Sequence, residues 1–260
     1  MLIVERQKKL LDLLRQRRTA ELDEMARALS VSSSTVRRDL ESLEQQGMVK
    51  RTHGGAIYQA PGDGAGQGPE AVAARMNEQV AQKQAIGRYA ASLVQPHMTL
   101  LLDGGSTVIY AAQFIEARPL QVVTNSLSIA NLFADDDQVE LLMVGGNLYG
   151  RSGVLVGPIA TGCLADLHAD LLLFSVAGLY EGAAFNINLI MAQVEQVMMQ
   201  QAARSVLLMD SSKFGRKSLV RVCGIDEVER IVTDEGVDPD WRDALGERLI
   251  VADEVGNASA

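Results

Sequence analysis

Apolar residues near the start of the chain recur every three or four positions, which is typical of amphipathic helices. The first set predicts a helix over residues 3–17. The second predicts a helix that begins near Thr19 or Ala20, and the third predicts one from Ser32 to about Gln46. Ser32 suits the N-cap, because its hydroxyl can accept a hydrogen bond from a free backbone N–H. The apolar positions of the three sets are Leu2, Ile3, Leu10, Leu11 and Leu14; Leu22, Met25, Ala26 and Leu29; and Val36, Leu40 and Leu43.

A short basic segment follows the third predicted helix. Gly47 is placed to end that helix, and residues 48–58 are expected to form a two-stranded hairpin. In it, Gly54-Gly55 would allow a sharp reversal or a close approach to a sugar-phosphate chain. Hydroxyls and arginines near an exposed helix N-terminus suit the major groove of DNA, and basic hairpin residues suit its phosphates. The candidate DNA contacts are Ser33, Ser34, Thr35, Arg37, Arg38, Lys50, Arg51 and His53. The ordinary alternative is a solvated charged face.

The rest of the chain follows a different pattern. Residues 59–70 combine Pro, Gly and polar residues without periodicity, which predicts a flexible linker. Short apolar runs later alternate with helical segments, which predicts an α/β fold with a mainly parallel sheet. The runs are 98–102, 120–123, 139–144, 170–174, 205–209, 230–232 and 248–251. Between linker and runs, a helix is expected from about residue 71 to 94, with inward positions at Met76, Val80, Ile86, Tyr89, Ala90 and Leu93.

Small polar residues follow four of these runs. They are DGGST at 103–107, TNS at 124–126, Gly145-Gly146 and DSSKFG at 210–215. In a parallel sheet, ligands bind outside the carboxyl ends of the strands. Small residues with hydroxyls at a helix N-terminus can form a phosphate cradle of backbone N–H groups, and Lys213 adds a mobile cation. Each loop alone is ordinary turn chemistry, but four at one sheet edge favour a small anionic, hydroxylated ligand.

Charge separates the two parts of the chain. Residues 1–58 contain 11 Lys/Arg and 8 Asp/Glu, a net charge of +3, and the remainder contains 13 and 25, a net charge of −12. Any nucleic-acid contact is therefore expected at the N-terminal end. Cys163 and Cys223 have no CxxC spacing and no neighbouring His, which argues against disulfides or structural zinc. No signal peptide is recognised, and the best apolar run, 171–180, is too short to span a bilayer, so a soluble cytoplasmic protein without metal or cofactor is expected.

Several blocks together resemble the DeoR family of bacterial transcription regulators. The run S-x-x-T-V-R-R-D-L at 32–40 with its basic, Gly-ended wing resembles the family's winged helix-turn-helix, and DGGST, VVTNSLSIANLF, VGGNLYGRSGVLVGPIA and DSSKFGRKSLVRV resemble its later blocks. The resemblance covers residues 1–253. It implies a homo-oligomeric operator-binding protein, commonly a repressor of a carbohydrate operon, whose effector domain senses a phosphorylated sugar or related metabolite. That domain is similar in fold to ribose-5-phosphate isomerase and CoA-transferase subunits.

The resemblance also implies site residues and boundaries. The implied effector contacts are Asp103, Gly105, Ser106, Thr107, Thr124, Asn125, Gly146 and Lys213, and Arg75 and Lys83 occupy positions where members commonly carry the same residues. We expect a DNA-binding domain over 1–58, a linker over 59–70, an effector and oligomerisation domain over 71–253, and a disordered tail over 254–260.

One segment, 182–199, departs from the family pattern. Many members have Thr-Thr-x-x-x-x-[DE]-x-x-V-K there, with a Lys that can face the ligand, whereas this chain has Glu195 at about that position. The usual effector therefore cannot be assumed, and Glu195 and Asn186 become candidates for contacts with sugar hydroxyls. A solvated helix carboxylate is the alternative for Glu195.

Two other function classes stay open. A sugar-phosphate isomerase needs a positioned carboxylate base, and Glu181 is the only acid close in sequence to the segment after run 170–174. The three histidines, His53, His97 and His168, lie apart from any nucleophile motif, so no catalytic residue is assigned. The N-terminal domain could also bind a protein in place of DNA, in which case salt would have little effect on binding.

Overall fold

The computed structural model of the chain describes residues 3–17, 19–29, 31–45, 49–52, 54–58, 72–253 and 255–259. The chain divides into two compact units, Met1–Gly68 and Pro69–Ala260, called here the first unit and the second unit. The expected linker, Gly47 and His53 lie outside the described residues. No helix in the described ranges is long and apolar enough to cross a membrane.

The first unit contains three helices and a small antiparallel sheet. The helices are α1 (Ile3–Arg17), α2 (Leu22–Leu29) and α3 (Ser33–Gln45), and the strands are β1 (Thr19–Glu21), β2 (Val49–Arg51) and β3 (Gly55–Tyr58), in the order β1-β3-β2. The three predicted helices and the hairpin are therefore present. The apolar stripes pack on one another, with Leu10, Leu14, Met25, Val36, Leu40 and Leu43 fully buried.

Two details of the first unit differ from the expectation. Thr19 and Ala20 do not begin a helix; they belong to β1, in which Ala20 is buried while Thr19 and Glu21 point outward. A Cβ on Gly55 would lie 2.1 Å from the carbonyl oxygen of Ala20. In the described structure, the close approach that requires glycine at position 55 is thus made to β1.

A partly buried ion pair joins α3 to α1. Asp39 is almost fully buried, and its carboxylate accepts hydrogen bonds from both Nε and Nη2 of Arg6, the latter at 3.0 Å. The residue directly follows Arg37 and Arg38. Charged bidentate bonds of this kind have a defined geometry, so the pair fixes how α3 presents its outer face.

The second unit is built on an eight-stranded sheet. Its order is β16-β15-β14-β12-β9-β4-β5-β6, and every neighbouring pair is parallel except β15 and β16. The strands are β4 (Thr99–Leu102), β5 (Leu120–Thr124), β6 (Val139–Met143), β9 (Ala169–Phe174), β12 (Ala202–Leu208), β14 (Arg230–Asp234), β15 (Leu249–Ala252) and β16 (Ala258–Ser259). All seven predicted runs are parallel strands of this sheet, which confirms the α/β prediction.

Helices cover both faces of this sheet because successive strand residues point to opposite sides. Leu100 and Leu102 pack in one apolar cluster with Ile86, whereas Leu101 packs in another with Leu164. The helices are α4 (Val72–Met76), α5 (Val80–Ser92), α6 (Ser106–Phe114), α7 (Leu127–Phe133), α8 (Pro158–Ala165), α9 (Leu189–Gln201) and α10 (Pro239–Leu245).

The helix expected over 71–94 is broken. Gln79 adopts the left-handed conformation, with φ 49°, so α4 ends at Met76 and α5 begins at Val80. Val80 is 37% exposed and not an inward position. Buried Lys83 donates to the carbonyl oxygens of Arg75 and Glu78, the latter at 2.7 Å, and so satisfies groups that the break leaves free.

Five further strands were not predicted. They form a hairpin of β7 (Asn147–Tyr149) and β8 (Val154–Val156), and a sheet of β10 (Gly178–Tyr180), β11 (Ala183–Asn186) and β13 (Val220–Gly224). Each is short, and β11 pairs with β13 across more than thirty residues, so local periodicity does not reveal it.

Near the C-terminus, Ala258–Ser259 forms strand β16 within the segment 254–260 that was expected to be a disordered tail. The side chain of Asp253 accepts a hydrogen bond from the backbone N–H of Asn257 at 2.7 Å, and Ala258–Ser259 pairs antiparallel with β15. A short turn around Asp253 therefore returns the chain to the edge of the sheet.

Candidate functional site

The N-terminus of α3 is organised by Ser32. Its hydroxyl oxygen accepts the backbone N–H of Thr35 at 3.2 Å, which confirms the predicted N-cap, and it lies 2.8 Å from the hydroxyls of both Ser34 and Thr35. Ser33 faces α2 and donates to Asp23 at 2.9 Å. Ser34 is thus exposed at the helix start, while Ser33 has a partner within the unit.

Arg37 and Arg38 are exposed on the first two turns of α3. Neither makes an ion pair or a side-chain hydrogen bond with another described residue. A groove between α3 and the hairpin is lined by Arg37 together with Leu22, Leu40, Glu44, Arg51, Thr52, Gly54 and Gly55. Cationic groups beside such a groove can reach phosphates or base edges without first breaking a contact in the protein.

Arg51, in contrast, is bound to α3. Its Nη1 lies 2.6 Å from Glu41 Oε1, its Nε lies 3.4 Å from Glu44 Oε2, and its backbone N–H donates to Glu44 at 2.8 Å. These contacts fasten the hairpin to α3. A DNA phosphate would have to replace the carboxylates as partner of the guanidinium. The side chain of Lys50 and all of His53 lie outside the described residues.

Three predicted effector residues meet at one small cavity of the second unit, called here the acidic cavity. Asp103, Gly105 and Glu195 line it with Arg75 and Asn186; the remaining lining residues are Gly104, Ser175, Val176, Ala177 and Met191. The cavity lies at the carboxyl ends of β4 and β9. Its free volume is about 20 Å³, which holds one water molecule and no sugar. A sugar can enter only if part of the lining moves.

Asp103 is held by the backbone. Its buried carboxylate accepts hydrogen bonds from the N–H groups of Gly104, Ser175 and Gly105, and desolvation still raises its pKa to about 6. The loop is closely packed, since a Cβ on Gly105 would lie 1.6 Å from the hydroxyl of Ser175. Glycine at 105 is therefore required by the tight packing of this loop.

Glu195 places a carboxyl group almost fully inside the protein at this cavity. It is 1% exposed, so the alternative of a solvated carboxylate is wrong. Its Oε1 accepts a hydrogen bond from Nδ2 of Asn186, and its Oε2 is buried and has no partner in the part of the chain that the structure describes. Burial raises its pKa well above the ordinary value, and the neighbouring charge of Asp103 raises it further. The sequence contains one signal of this burial, because Glu195 shares a helix face with Met191, Ala192 and Met198.

The other predicted effector residues do not line the acidic cavity. Thr124 donates to the carbonyl of Leu102 at 2.7 Å, and Asn125 donates to that of Leu155 at 3.2 Å, so both side chains stabilise neighbouring strands. Oδ1 of Asn125 is buried and has no partner within the described ranges. Gly146 has φ 147°, Ser106 and Thr107 are buried in the first turn of α6, and Lys213 lies in a short 3-10 turn.

The loops also differ from the expectation in how they meet. They do follow parallel strands and so end at one sheet edge, but of the four predicted loops only the one after β4 lines the cavity. The other lining residues come from α4, the segment after β9, β11 and α9. The sequence missed Ser175, Ala177 and Met191 as lining residues. Glu181 was the acid expected near residues 175–177, but its side chain is exposed and does not line the cavity. The acidic residues that lie beside this segment are Asp103 and Glu195.

Arg75 reaches the acidic cavity from α4, the first described helix after residue 71. Three hydrogen bonds hold the backbone around it: Val72 N–H to Arg151 O at 2.8 Å, Tyr110 OH to Met76 O at 2.9 Å, and Lys83 Nζ to Arg75 O. Lys83 thus stabilises the end of α4 through its hydrogen bonds to backbone carbonyls and does not line the cavity. Desolvation lowers its pKa, and the charge of Asp210 partly offsets this.

Within the described ranges, no group of three or more His, Cys, Asp or Glu side chains is arranged to hold a metal ion.

Comparison with known proteins gives matches to both units. The model of the DeoR-like helix-turn-helix domain matches residues 6–61, and that of the DeoR C-terminal sensor domain matches residues 78–235. The chain is 34% identical over 236 residues to the L-fucose operon activator of Escherichia coli (strain K12), covering 88% of this chain and 94% of that protein. It is 31% identical over 230 residues to the transcriptional repressor GlcR of Bacillus subtilis (strain 168), covering 88% of each.

Among solved structures, ribose 5-phosphate isomerase A from Methanocaldococcus jannaschii matches 51% of this chain and 53% of that chain. The identity is 18% and the TM-score is 0.37, so this likeness carries no argument about function.

Proposed function

This chain belongs to the DeoR family of DNA-binding transcription regulators, and we propose that it is a repressor of a carbohydrate operon whose operator affinity is set by a phosphorylated sugar. The observation that carries the proposal is that Arg37 and Arg38 are exposed on α3 and form no ion pair with any residue that the structure describes. The relatives named above include both an activator and a repressor. Repression is the proposal because it is the commoner behaviour implied by the family.

The proposed DNA contacts divide by role. Arg37 and Arg38 reach base edges and phosphates in the major groove with help from Ser34 and Thr35, because guanidinium groups suit guanine edges and phosphate oxygens. Lys50, Arg51 and His53 contact phosphates from the hairpin. Ser33 supports the helix start through Asp23. One such helix reads only a few base pairs, so we propose that two copies of the chain bind a two-fold operator.

Control is proposed to pass through α4. A ligand needs more than the 20 Å³ of the acidic cavity, so its entry must displace part of the lining. Arg75 is the lining cation, and it lies on the helix that directly follows residues 59–71. A ligand that draws Arg75 inward competes with the three hydrogen bonds that now hold this segment. The ligand would shift DNA binding only if its affinity differs between the present position of α4 and the position that α4 takes when Arg75 is drawn inward.

One observation favours a second function. Asp103 and Glu195 form an acid pair beside residues 175–177, and such a pair is what a sugar-phosphate isomerase would use. We nevertheless propose a non-enzyme. The carboxylate of Asp103 already accepts three backbone N–H groups, and Oε1 of Glu195 already accepts a hydrogen bond from Nδ2 of Asn186. Turnover of pentose or hexose phosphates that disappears in Glu195→Gln would reverse this ranking.

The test of DNA binding is a titration of operator affinity with salt, carried out on the full chain in cytoplasm-like buffer. Several phosphate contacts predict that the logarithm of the affinity falls steeply and linearly with the logarithm of the salt concentration. Saturating sugar phosphate should then shift the whole line. Binding that is indifferent to salt, or absent, would favour a protein partner for the first unit.

A further inference from the structure

The acidic cavity contains an unmet hydrogen-bonding group. Oε2 of Glu195 is buried and has no hydrogen-bond partner among the described residues, although leaving a buried polar atom unpaired is unfavourable. The other oxygen is already occupied, because Nδ2 of Asn186 donates to it. Asn186 is itself fixed, since its Oδ1 accepts the backbone N–H of Ile187 at 2.8 Å. The arrangement therefore leaves one acceptor position, held in one orientation and directed at the space where a ligand would lie.

The charges around this space limit what can fill it. The lining contains two carboxyl groups, of Asp103 and Glu195, and one cation, Arg75. An anionic group placed beside Glu195 would lie close to the carboxyl groups of both Asp103 and Glu195, and repulsion between charges is little screened among buried residues. A hydroxyl or an ammonium group, in contrast, would satisfy Oε2. The phosphate of a sugar phosphate therefore has to lie away from Glu195.

Building on the proposed function, we propose that Glu195 is the specificity-determining residue of this site. It accepts a hydrogen bond from a donor group of the ligand, either a hydroxyl or an amine, on the part of the sugar remote from the phosphate. Asn186 is a positioning residue that holds the carboxyl for this contact. A ligand without that donor leaves Oε2 unpaired, and sites built to bind a hydroxyl or an N–H reject analogues lacking it strongly.

The test uses the full chain and three kinds of probe: hexose and pentose phosphates, their amino-sugar phosphate counterparts, and inorganic phosphate. A thermal-shift screen selects the best binder, and calorimetry measures its affinity for wild type, Glu195→Gln and Glu181→Gln. Glu181→Gln is the matched control, because it makes the same chemical change at an exposed residue outside the cavity. We expect Glu195→Gln to weaken binding about tenfold or more, as loss of a hydrogen bond to a buried charged group does, and the control to change nothing.

A second series needs no variant that could fail to fold. Deoxy and O-methyl analogues of the best binder are measured on wild type, and one position should show a loss of about tenfold or more. Glu195→Gln should be insensitive at that position. Preference for the amino or the hydroxyl probe identifies the donor. Equal affinities of wild type and Glu195→Gln would overturn the proposal, as would tightest binding by inorganic phosphate or no shift with any probe. Operator binding, measured on the same samples, reports separately on the proposed function.

Discussion

The two units place their charged side chains in opposite environments. In the first unit Arg37 and Arg38 remain in solvent on α3, whereas in the second unit Asp103 and Glu195 are buried around a cavity with room for one water. Solvated cations suit a long polyanion such as DNA, because binding releases the counterions of the polyanion and this release adds to the affinity. Desolvated carboxyl groups suit a small ligand whose few donors replace lost water. Under the proposed function, this difference would let one chain distinguish DNA from a metabolite.

Removing the Arg6–Asp39 ion pair, which holds the helix that carries Arg37 and Arg38, should have the largest effect on stability. In Asp39→Ala, the partly buried Arg6 loses both hydrogen bonds to a buried carboxylate, and a loss of this kind costs about 3 kcal/mol. We expect the free energy of unfolding of the first unit to fall by that amount, so that this unit unfolds at a lower denaturant concentration. The transition of the second unit should be unchanged. Two transitions followed by fluorescence and circular dichroism would show this. An unchanged first transition would mean that the pair does not hold α3.

The arginines themselves come next. Arg38→Ala should weaken operator binding by about 1–3 kcal/mol if the side chain contacts a guanine, and Arg37→Ala should act similarly. Fluorescence anisotropy with a labelled operator measures both. Arg242→Ala, an exposed arginine on α10, is the matched control and should bind the operator as wild type does. Operator affinity equal to wild type in both α3 variants would remove these residues from the interface.

Much of this contrast could be predicted from the sequence, and the exceptions have physical reasons. Strands such as Leu100–Leu102 are buried on both faces, so they appear as continuous apolar runs, and the first three helices have clear stripes. The break at Gln79 was missed because it is stabilised by Lys83 and Tyr110, whose contacts are tertiary. The site was predicted only in part, because Glu195 meets Asp103 through long-range pairing of the chain.

The buried carboxyls should also make stability depend on pH. The pKa of Asp103 is raised to about 6, and that of Glu195 is raised too, so the folded state binds their protons more tightly than the unfolded chain does. The stability of the second unit should therefore fall as the pH rises from 3.8, the ordinary pKa of an aspartate, through about 6, and the whole contribution of Asp103 is about 3 kcal/mol. The carboxylates with lowered pKa, Asp136, Glu229 and Asp253, act oppositely but below pH 4.5.

Urea unfolding at pH 5 and pH 7 measures this effect. Glu195→Gln should flatten the dependence, because it removes one of the two titrating groups and the repulsion between them. Glu181→Gln should leave the dependence as it is. Stability of the second unit that rises from pH 5 to pH 7 would contradict the burial of ionisable carboxyls in this cavity.

The smallest expected effect concerns the hairpin. Glu44→Gln should free Arg51 in part and remove a negative charge near the groove, which should strengthen operator binding by about 0.5 kcal/mol, the scale of an exposed ion pair. Anisotropy at low salt would detect it. Weaker binding would instead mean that the role of Glu44 in fastening the hairpin matters more than its charge.

The most direct test of the account is the salt dependence of operator affinity in wild type and in the Arg37→Ala/Arg38→Ala double variant. If both side chains contact phosphate, the slope of the logarithm of affinity against the logarithm of salt should become shallower by about 2. If the arginines are instead a solvated face without a role, the two slopes will be the same.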